Sequence, residues 1–225
     1  MRRPPRWERY RGVARFYDVV SAEPVYRAGR RIGIGQLALK PGDTVVDIGC
    51  GTGLNFELLE DAIGPTGRLV GVDRSGDMLA QARQRVQEHG WGNVELLHAD
   101  ATTVAAATVI DVARRPADAV LATYSLSLMR DWRAAWVMML AVAARPGRLC
   151  VVDMQPTVGA AVVLGWLARL ACRLGGSDIN ARPWSAVEAD CDHVLAAAAR
   201  GGHIQVRTGA ARATRTSGRD YEPSG

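Results

Sequence analysis

Lysine is almost missing from this chain of 225 residues, because Lys40 is the only lysine among 28 basic residues. The arginines gather at the two ends: six stand in residues 1–15 against one glutamate, and five stand in residues 200–225 against two acids. The body between them is close to neutral although the formal net charge is +5. A near-neutral body argues against a nucleic-acid groove and favours a small-molecule partner.

Closely spaced cysteines and long apolar runs are missing as well. Cys50, Cys150, Cys172 and Cys191 lie far apart, which predicts neither a metal site nor a disulfide framework and favours a reducing compartment. No apolar segment follows the arginine-rich start, so no secretory signal is expected. The longest uncharged stretch, Met154–Ala168, is shorter than the roughly twenty residues of a membrane span. The sequence predicts a cytoplasmic protein without a transmembrane helix.

The chain from about Pro41 onward alternates short runs of Val, Ile and Leu with segments of helical period. This alternation is typical of βαβ units around a parallel sheet. The predicted strands are Thr44–Ile48, Arg68–Asp73, Val94–Ala99, Asp118–Thr123 and Arg148–Met154, and the predicted helices between them are Leu54–Ala62, Gly76–His89 and Asp131–Ala144. Right-handed crossovers place the helices on both faces, so the fold class is α/β, with a doubly wound, mostly parallel sheet.

The chain is predicted to divide into a basic arm (1–12), one folded domain (13–208) and a disordered tail (209–225). One or two helices broken near Pro24 are expected over residues 13–39. Beyond the fifth strand the helix candidates are 157–174 and 184–200, and residues 203–208 alternate like a late strand. The Ala-rich stretch 102–117 is left unassigned.

The most informative stretch is VVDIGCGTGLN at residues 45–55, in which an apolar strand leads into Gly49, Gly51 and Gly53 and then a helix. Such glycines let the backbone approach a ligand, and the helix start offers unpaired N–H groups to a negative group. The third glycine of a dinucleotide fingerprint is missing, since Leu54 holds that position, and so is the lysine of a P-loop. The loop therefore indicates a nucleotide-type ligand other than those two.

Asp47 precedes these glycines with no cation beside it, which suits a ligand that carries positive charge. S-adenosylmethionine carries both a sulfonium and an ammonium group. Asp73 ends the second strand, where an acid accepts hydrogen bonds from ribose hydroxyls. Asp100 follows the third strand, placed to accept from the adenine amine, and Met78 is available to pack on the ring.

At this point the chain resembles the class I S-adenosylmethionine-dependent methyltransferases over roughly residues 14–155. The resemblance is carried by VVDIGCGTGLN, by GVDRSGDMLAQAR at 71–83, by HAD at 98–100, by DAVLATYSLSLM at 118–129 and by RPGRLCVVDMQP at 145–156. Together with ARFYD at 14–18, the last segment is most similar to the ubiquinone and menaquinone biosynthesis methyltransferases and to bacterial phospholipid N-methyltransferases. The resemblance implies a Rossmann-like methyltransferase fold preceded by N-terminal helices.

The resemblance also implies roles for particular residues. Asp47 and the three loop glycines would hold the methionine part of the cofactor, Asp73 the ribose, and Met78 with Asp100 the adenine. Tyr17 would stand at the entrance, and Thr123 is added to the cofactor-binding residues. The chain departs from the family where Arg148 follows Pro146 and Gly147 in place of a second glycine, and where the expected terminal hairpin shows only one clear strand.

The expected activity is methyl transfer to a small, lipophilic acceptor such as a quinone precursor or a phospholipid head group. The alternatives are aminocarboxypropyl transfer and S-adenosylmethionine binding without catalysis. The Asn-Pro-Pro-Tyr motif of nucleic-acid amine methylation is missing after the fourth strand, where Tyr124 and Ser125 follow Thr123. No catalytic residue is assigned, although His193 and His203 are candidate bases by residue type. Peripheral membrane contact through the basic arm is a further expectation.

Overall fold

The structure is a computed structural model, and it describes residues 23–155 and 181–212. Tyr17, the basic arm, the helix candidate at 157–174 and the chain beyond residue 212 lie outside the described residues. In chain order the elements are α1 (Glu23–Gln36), β1 (Thr44–Ile48), α2 (Phe56–Ile63), β2 (Arg68–Asp73), α3 (Gly76–His89), β3 (Val94–His98), α4 (Ala106–Ala113), β4 (Ala117–Thr123), a 3₁₀ turn (Leu126–Leu128), α5 (Trp132–Val142), β5 (Ala143–Met154), α6 (Ser185–Asp190), β6 (Cys191–Ala199) and β7 (Ile204–Ala211).

These strands form one sheet of seven in the order β3-β2-β1-β4-β5-β7-β6. The first five run parallel, whereas β7 lies antiparallel between β5 and β6. The carboxyl ends of β1 to β5 therefore meet at one edge, which is where ligands bind in open parallel sheets. The predicted fold class, a doubly wound and mostly parallel sheet of the Rossmann-like methyltransferase type, is confirmed.

Two apolar layers cover the sheet because neighbouring residues of its buried strands point to opposite faces. Val45 packs with α1, α2 and α3 on one face, where Phe56 and Leu59 are fully buried. Val46 packs with α4, α5 and α6 on the other face, around Trp136. All five residues of β1 are buried. The central strand thus carries the site residues on a rigid support.

Helix α1 lies unusually close to the sheet, and two glycines make this possible. A Cβ atom on Gly29 would lie 2.2 Å from the Tyr124 hydroxyl oxygen, and one on Gly33 would lie 2.7 Å from Val152 Cγ2. Pro24 lies in the first turn of α1, the part of a helix that tolerates proline. Residues 13–22 lie outside the described residues, so the expected break near Pro24 stays a prediction.

The expectation of a helix over residues 184–200 is wrong after Asp190. Helix α6 ends there, and the following Ala-rich residues form the edge strand β6 instead. Alanine favours a helix locally, but pairing with β7 overrides that preference. The glycines at 201 and 202, both with positive φ, make the turn that returns the chain.

The predicted end of the folded domain at residue 208 also needs correction. Strand β7 continues to Ala211, because Gly209 and Ala210 pair with Leu149 and Arg148 of β5. The terminal hairpin that the family pattern requires is therefore complete. Within residues 102–117, which the sequence left open, the structure forms α4. Among the described helices, none combines the length and the apolar character needed to cross a membrane.

Candidate active site

The three glycines of the loop after β1 all adopt left-handed backbone conformations, with φ of +67° at Gly49, +57° at Gly51 and +79° at Gly53. Their surroundings differ. A Cβ on Gly49 would lie 2.4 Å from Ser125 Cβ, and one on Gly53 would lie 2.6 Å from the Phe56 ring. A Cβ on Gly51 would meet no atom of the described part of the chain within 4 Å. Gly49 and Gly53 therefore serve the packing of the loop, while Gly51 faces the space open to a ligand.

Backbone hydrogen bonds hold this loop against the end of β2. The amides of Gly49 and Cys50 both donate to the Val72 carbonyl, at 2.8 and 3.1 Å. The amide of Gly51 donates to Asp73 Oδ2 at 2.9 Å, and that of Ser75 donates to Asp73 Oδ1 at 2.8 Å. Asp73 is thus fixed at the loop. Burial raises its pKa, and these two amide hydrogen bonds oppose the rise.

The orientation of Asp73 suits the ribose role predicted for it. A carboxylate oxygen has two lone pairs, and each Asp73 oxygen accepts one of these two amide hydrogen bonds, so further acceptor capacity remains. The residue ends β2 at the sheet edge beside the open space at Gly51. A ligand hydroxyl placed there would complete its hydrogen bonds.

Asp47, Asn55 and Thr123 form a buried polar cluster beneath the loop. The Asn55 amide nitrogen donates to Asp47 Oδ2 and to Thr123 Oγ1, at 2.9 Å each. Asp47 is fully buried, yet within residues 23–155 and 181–212 its Oδ1 atom and the Asn55 Oδ1 atom have no hydrogen-bond partner. Buried acceptors without partners are costly and rare in folded proteins. Their presence side by side indicates a site for a donor or a cation that a ligand brings.

Burial raises the pKa of Asp47 from 3.8 to about 7. The neighbouring charge of Asp73 raises this pKa further, while the Asn55 hydrogen bond and the Arg30 charge lower it. A ligand ammonium near Asp47 would favour the charged carboxylate. The carboxyl is therefore expected to lose its proton when such a ligand binds near neutral pH.

Met78 and Asp100 lie at the same edge of the sheet, after β2 and β3. Met78, in the first turn of α3, is 9% exposed, and its amide donates to the Ser75 hydroxyl at 3.3 Å. Asp100 Oδ1 accepts from the amide and the hydroxyl of Thr102, at 2.9 and 2.7 Å. The adenine role expected of Met78 and Asp100 stays a prediction. Tyr17 lies outside the described residues.

Three further residues border the site, and two of them, Asn55 and Arg30, were given no role from the sequence. Asn55 carries the hydrogen bonds of the buried cluster, and its place directly after the glycine loop was the available signal. Arg30 of α1 is 6% exposed, and its guanidinium carbon lies 5.6 Å from the centre of the Tyr124 ring. Tyr124 has a φ of +55°, rare for a bulky residue, and its hydroxyl donates to the Tyr26 carbonyl at 2.8 Å. No sequence pattern predicts the contact of Arg30 with the Tyr124 ring or the hydrogen bond of Tyr124 to Tyr26.

A cleft of about 210 Å³ flanks the loop, and it is lined by Arg27, Arg30, Leu54, Glu57, Leu58 and Arg85. A larger groove of about 360 Å³ lies between the carboxyl-terminal ends of α2 and α3, beside Trp91. That groove is at the opposite edge of the sheet, near the starts of β2 and β3. The smaller cleft is the one beside the candidate site, because ligands of parallel sheets bind at the carboxyl ends of the strands.

The residues present fit S-adenosylmethionine. The unpartnered oxygens of Asp47 and Asn55 suit its positively charged methionine part, the open face of Gly51 admits it, and Asp73 suits its ribose. A dinucleotide site or a P-loop would not require a buried carboxylate such as Asp47, whose Oδ1 atom has no hydrogen-bond partner among the described residues.

Comparisons with known proteins agree with this geometry. Residues 45–147 match a family described as "Methyltransferase domain". The demethylmenaquinone methyltransferase of Oceanobacillus iheyensis is 27% identical over 134 residues, which cover 59% of this chain and 54% of that protein. That of Alkalihalophilus pseudofirmus is 26% identical over 153 residues, covering 66% of this chain and 62% of the relative. The chain thus spans little more than half the length of these curated relatives.

A solved structure of a SAM-dependent methyltransferase from Aquifex aeolicus has the same fold, with a TM-score of 0.60 at 16% identity, over 88% of this chain and 97% of that one. The sheet order and the glycine loop place this protein among the class I Rossmann-like folds. With the family match over residues 45–147, its central part is similar to the S-adenosylmethionine-dependent methyltransferases.

Proposed function

We propose that this protein transfers the methyl group of S-adenosylmethionine to a small, lipophilic acceptor of the quinone-precursor type. The observation that supports the cofactor most directly is the pair of unpartnered buried oxygens on Asp47 and Asn55 beneath the open face of Gly51. S-adenosylmethionine supplies an electrophilic methyl group on a sulfonium. The protein has to hold the donor, align the acceptor and exclude water.

The chain holds the donor from two sides. On the sheet side, the Asp47 carboxylate and the Asn55 amide oxygen accept from the ammonium, and Asp73 accepts from the ribose. On the helix side, the buried Arg30 offers a cation of the sign that the methionine carboxylate needs. Thr123 keeps Asn55 oriented through the 2.9 Å hydrogen bond to its hydroxyl. Asp47 and Asn55 thus meet the positive ammonium of the methionine group, and Arg30 meets its negative carboxylate.

The acceptor would lie beyond the ends of β4 and β5. Met129 contributes an apolar wall there, since its Cε would lie 3.5 Å from a Cβ on Gly49. Tyr124 follows β4 directly and contributes a second apolar group, with its ring against Tyr26 at a centroid distance of 4.9 Å. A wall of this composition suits a flat, apolar ring. The names of the relatives agree with a quinone-related acceptor.

Calorimetry with S-adenosylmethionine, S-adenosylhomocysteine and NAD tests the cofactor. Binding of the two sulfur nucleosides and no heat with NAD is expected, and the reverse result refutes the proposal. Mass spectrometry of host metabolites and lipids, after incubation with cofactor that carries an isotopic label in its methyl group, then tests the acceptor. A labelled quinone precursor is the expected product.

The same experiment separates the remaining candidates. A labelled phospholipid would assign the acceptor to the head-group class. Cofactor that carries its label in the methionine chain would reveal aminocarboxypropyl transfer by placing that label on the product. Binding without any product would indicate a non-catalytic binding protein. Cytoplasmic location with peripheral membrane contact through the basic arm is part of the proposal.

A further inference from the structure

His203 is held rigidly at the carboxyl end of β5, where the turn from β6 enters β7. The backbone of Gln155 donates to the His203 carbonyl at 2.8 Å. The amide of His203 turns away from β5 and donates to the Arg200 carbonyl at 3.3 Å. The ring atom Nδ1 takes its place and lies 2.7 Å from the Gln155 carbonyl oxygen. The imidazole Nδ1–H thus takes the place of a backbone N–H in the last hydrogen bond at the end of the β5–β7 strand pair.

This contact determines which ring nitrogen carries the proton. A carbonyl oxygen only accepts hydrogen bonds, so Nδ1 is the protonated nitrogen of the neutral ring, and the lone pair resides on Nε2. In the described part of the chain, no hydrogen bond involves Nε2. The turn around the ring is also fixed, because the side-chain amides of Gln155 and Gln205 both donate to the Gly202 carbonyl, at 2.8 Å each.

Two hydrogen bonds and one strand pairing relate the cofactor loop to the strand that carries this histidine. Ser125 packs against Gly49, and its hydroxyl donates to the Ile48 carbonyl at 2.8 Å. Two residues further on, the Ser127 hydroxyl donates to Asp153 Oδ1 at 2.7 Å. Asp153 pairs in register with Gln205, two residues from His203. His203 therefore lies on the acceptor side of the same sheet edge.

Burial distinguishes His203 from the other base candidate. His203 is 8% exposed. His193 lies exposed in the irregular start of the edge strand β6, with a φ of +52°. Only His203 combines an oriented ring, low exposure and a place at the site edge.

We propose that His203 is the general base of the reaction and that the acceptor carries an ionisable hydroxyl, as a phenol or a hydroquinone does. This inference rests on the proposed function. The acceptor O–H gives its proton to Nε2, the electron pair of the acceptor forms the bond to the methyl carbon, and the carbon–sulfur bond breaks with its pair left on sulfur. The sulfonium becomes a neutral thioether, and the ring becomes an imidazolium.

The first test reads the ring without catalysis. Nitrogen-15 NMR of the labelled protein, with His203→Asn to assign the signals, should show the Nδ1–H tautomer of His203. Addition of 1,4-naphthohydroquinone in the presence of S-adenosylhomocysteine should shift the Nε2 signal. A proton on Nε2 in the neutral ring, or an Nε2 signal that the hydroquinone leaves unmoved, overturns the proposal.

The second test separates catalysis from structure. His203→Asn keeps an amide N–H that can donate to the Gln155 carbonyl, as Nδ1 does, but it removes the base. The variant should retain its melting temperature and its affinity for S-adenosylhomocysteine while methyl transfer to 1,4-naphthohydroquinone falls by about 100-fold or more. His203→Gly should regain part of the activity when imidazole is added. The matched control His193→Asn should behave as the unmodified protein.

The outcomes also separate this proposal from the proposed function. Undiminished transfer by His203→Asn overturns the role of His203 and leaves methyl transfer intact. Transfer by the unmodified protein only to amines or other acceptors without an ionisable hydroxyl does the same. Absence of both S-adenosylhomocysteine binding and methyl transfer overturns the proposed function and this inference with it.

Discussion

Two fully buried aspartates show how the cofactor side and the acceptor side of this sheet edge differ. Burial raises the pKa of both, to about 7 for Asp47 and to about 6 for Asp153. Asp153 accepts from the Ser127 hydroxyl, the Ser127 amide and the Met154 amide, so both of its oxygens are bound within the protein. Asp47 has an oxygen with no partner. The difference indicates that Asp153 has a structural role, whereas Asp47 is placed to bind a ligand.

The largest effect is expected when the open space beside Gly51 is filled. Gly51→Val adds a side chain at the open face of the loop, at a φ of +57° that L-residues rarely adopt. We expect binding of S-adenosylhomocysteine to be lost, by about 100-fold or more, while circular dichroism still shows a folded sheet. Calorimetry measures the loss.

Gly90→Val is the matched control, because Gly90 has a φ of +69°, open space around its Cβ position and a place at the end of α3 far from the loop. It carries the same backbone strain without the ligand. Normal binding by Gly51→Val, or equal losses in the two variants, would mean that the loop does not approach a cofactor.

The two aspartates themselves give the next largest effect. Asp153→Ala leaves three buried donors without an acceptor, which should lower the free energy of unfolding by about 3–5 kcal/mol. Asp47→Asn keeps the shape, removes the desolvated charge and should change stability by less than about 1 kcal/mol. Its affinity for S-adenosylhomocysteine should fall about tenfold or more. Urea unfolding and calorimetry on both variants test the contrast, and a larger stability loss at Asp47 than at Asp153 would contradict it.

Asp73 should show a smaller effect on binding. Asp73→Ala removes the acceptor assigned to the ribose, and the affinity for S-adenosylhomocysteine should fall by roughly 1.5–3 kcal/mol, the scale of a charge-assisted hydrogen bond. Asp118→Ala is the control, because Asp118 Oδ2 also accepts from a backbone amide, that of Thr44 at 2.7 Å, but at the start of β4. This control should lose stability and keep its affinity. An unchanged affinity in Asp73→Ala would mean that Asp73 only holds the loop.

The sequence predicted the cofactor side better than the acceptor side, and the reason is physical. A glycine in a left-handed turn and an acid at a strand end are local requirements. The positions of Gly51 and Asp73 can therefore be predicted from short sequence patterns. Tyr124, Arg30 and His203 acquire their roles from α1, β5 and β7, which lie far away in sequence. Residue type alone made His203 a candidate base, whereas the orientation of its ring and the contacts of Tyr124 and Arg30 exist only after the sheet has formed. Strand β6 was missed for the same reason, because its pairing with β7 overrides the helical preference of its alanines.

The raised pKa of Asp47 predicts a pH dependence for both stability and binding. Its unfolded pKa is near 3.8 and its folded pKa is about 7, so the folded state binds the proton more tightly. Stability of the unliganded protein should therefore fall as the pH rises from about 4 to 7, with a contribution of the same sign from Asp153. Asp47→Asn should flatten the upper part of this decline.

Binding of S-adenosylhomocysteine should release a proton near pH 6.5, since its ammonium favours the charged carboxylate. The binding enthalpy should then vary with the ionisation enthalpy of the buffer, and this variation should be smaller in Asp47→Asn. An enthalpy that is equally independent of buffer in both proteins would contradict the assignment of the free Asp47 oxygen to the ligand.

The smallest expected effect concerns the basic arm, and it tests whether the acceptor is delivered from a membrane. Residues 1–15 hold six arginines against one glutamate, and each basic residue near an anionic membrane contributes about 1 kcal/mol, which falls with salt. Deletion of residues 1–11 should reduce cosedimentation with vesicles that contain phosphatidylserine and leave the affinity for S-adenosylhomocysteine unchanged. The near-neutral body has no comparable excess of charge. If the full-length protein ignores such vesicles at low salt, a lipophilic acceptor delivered from a membrane loses its physical support, and a soluble hydroxylated acceptor becomes the better assignment.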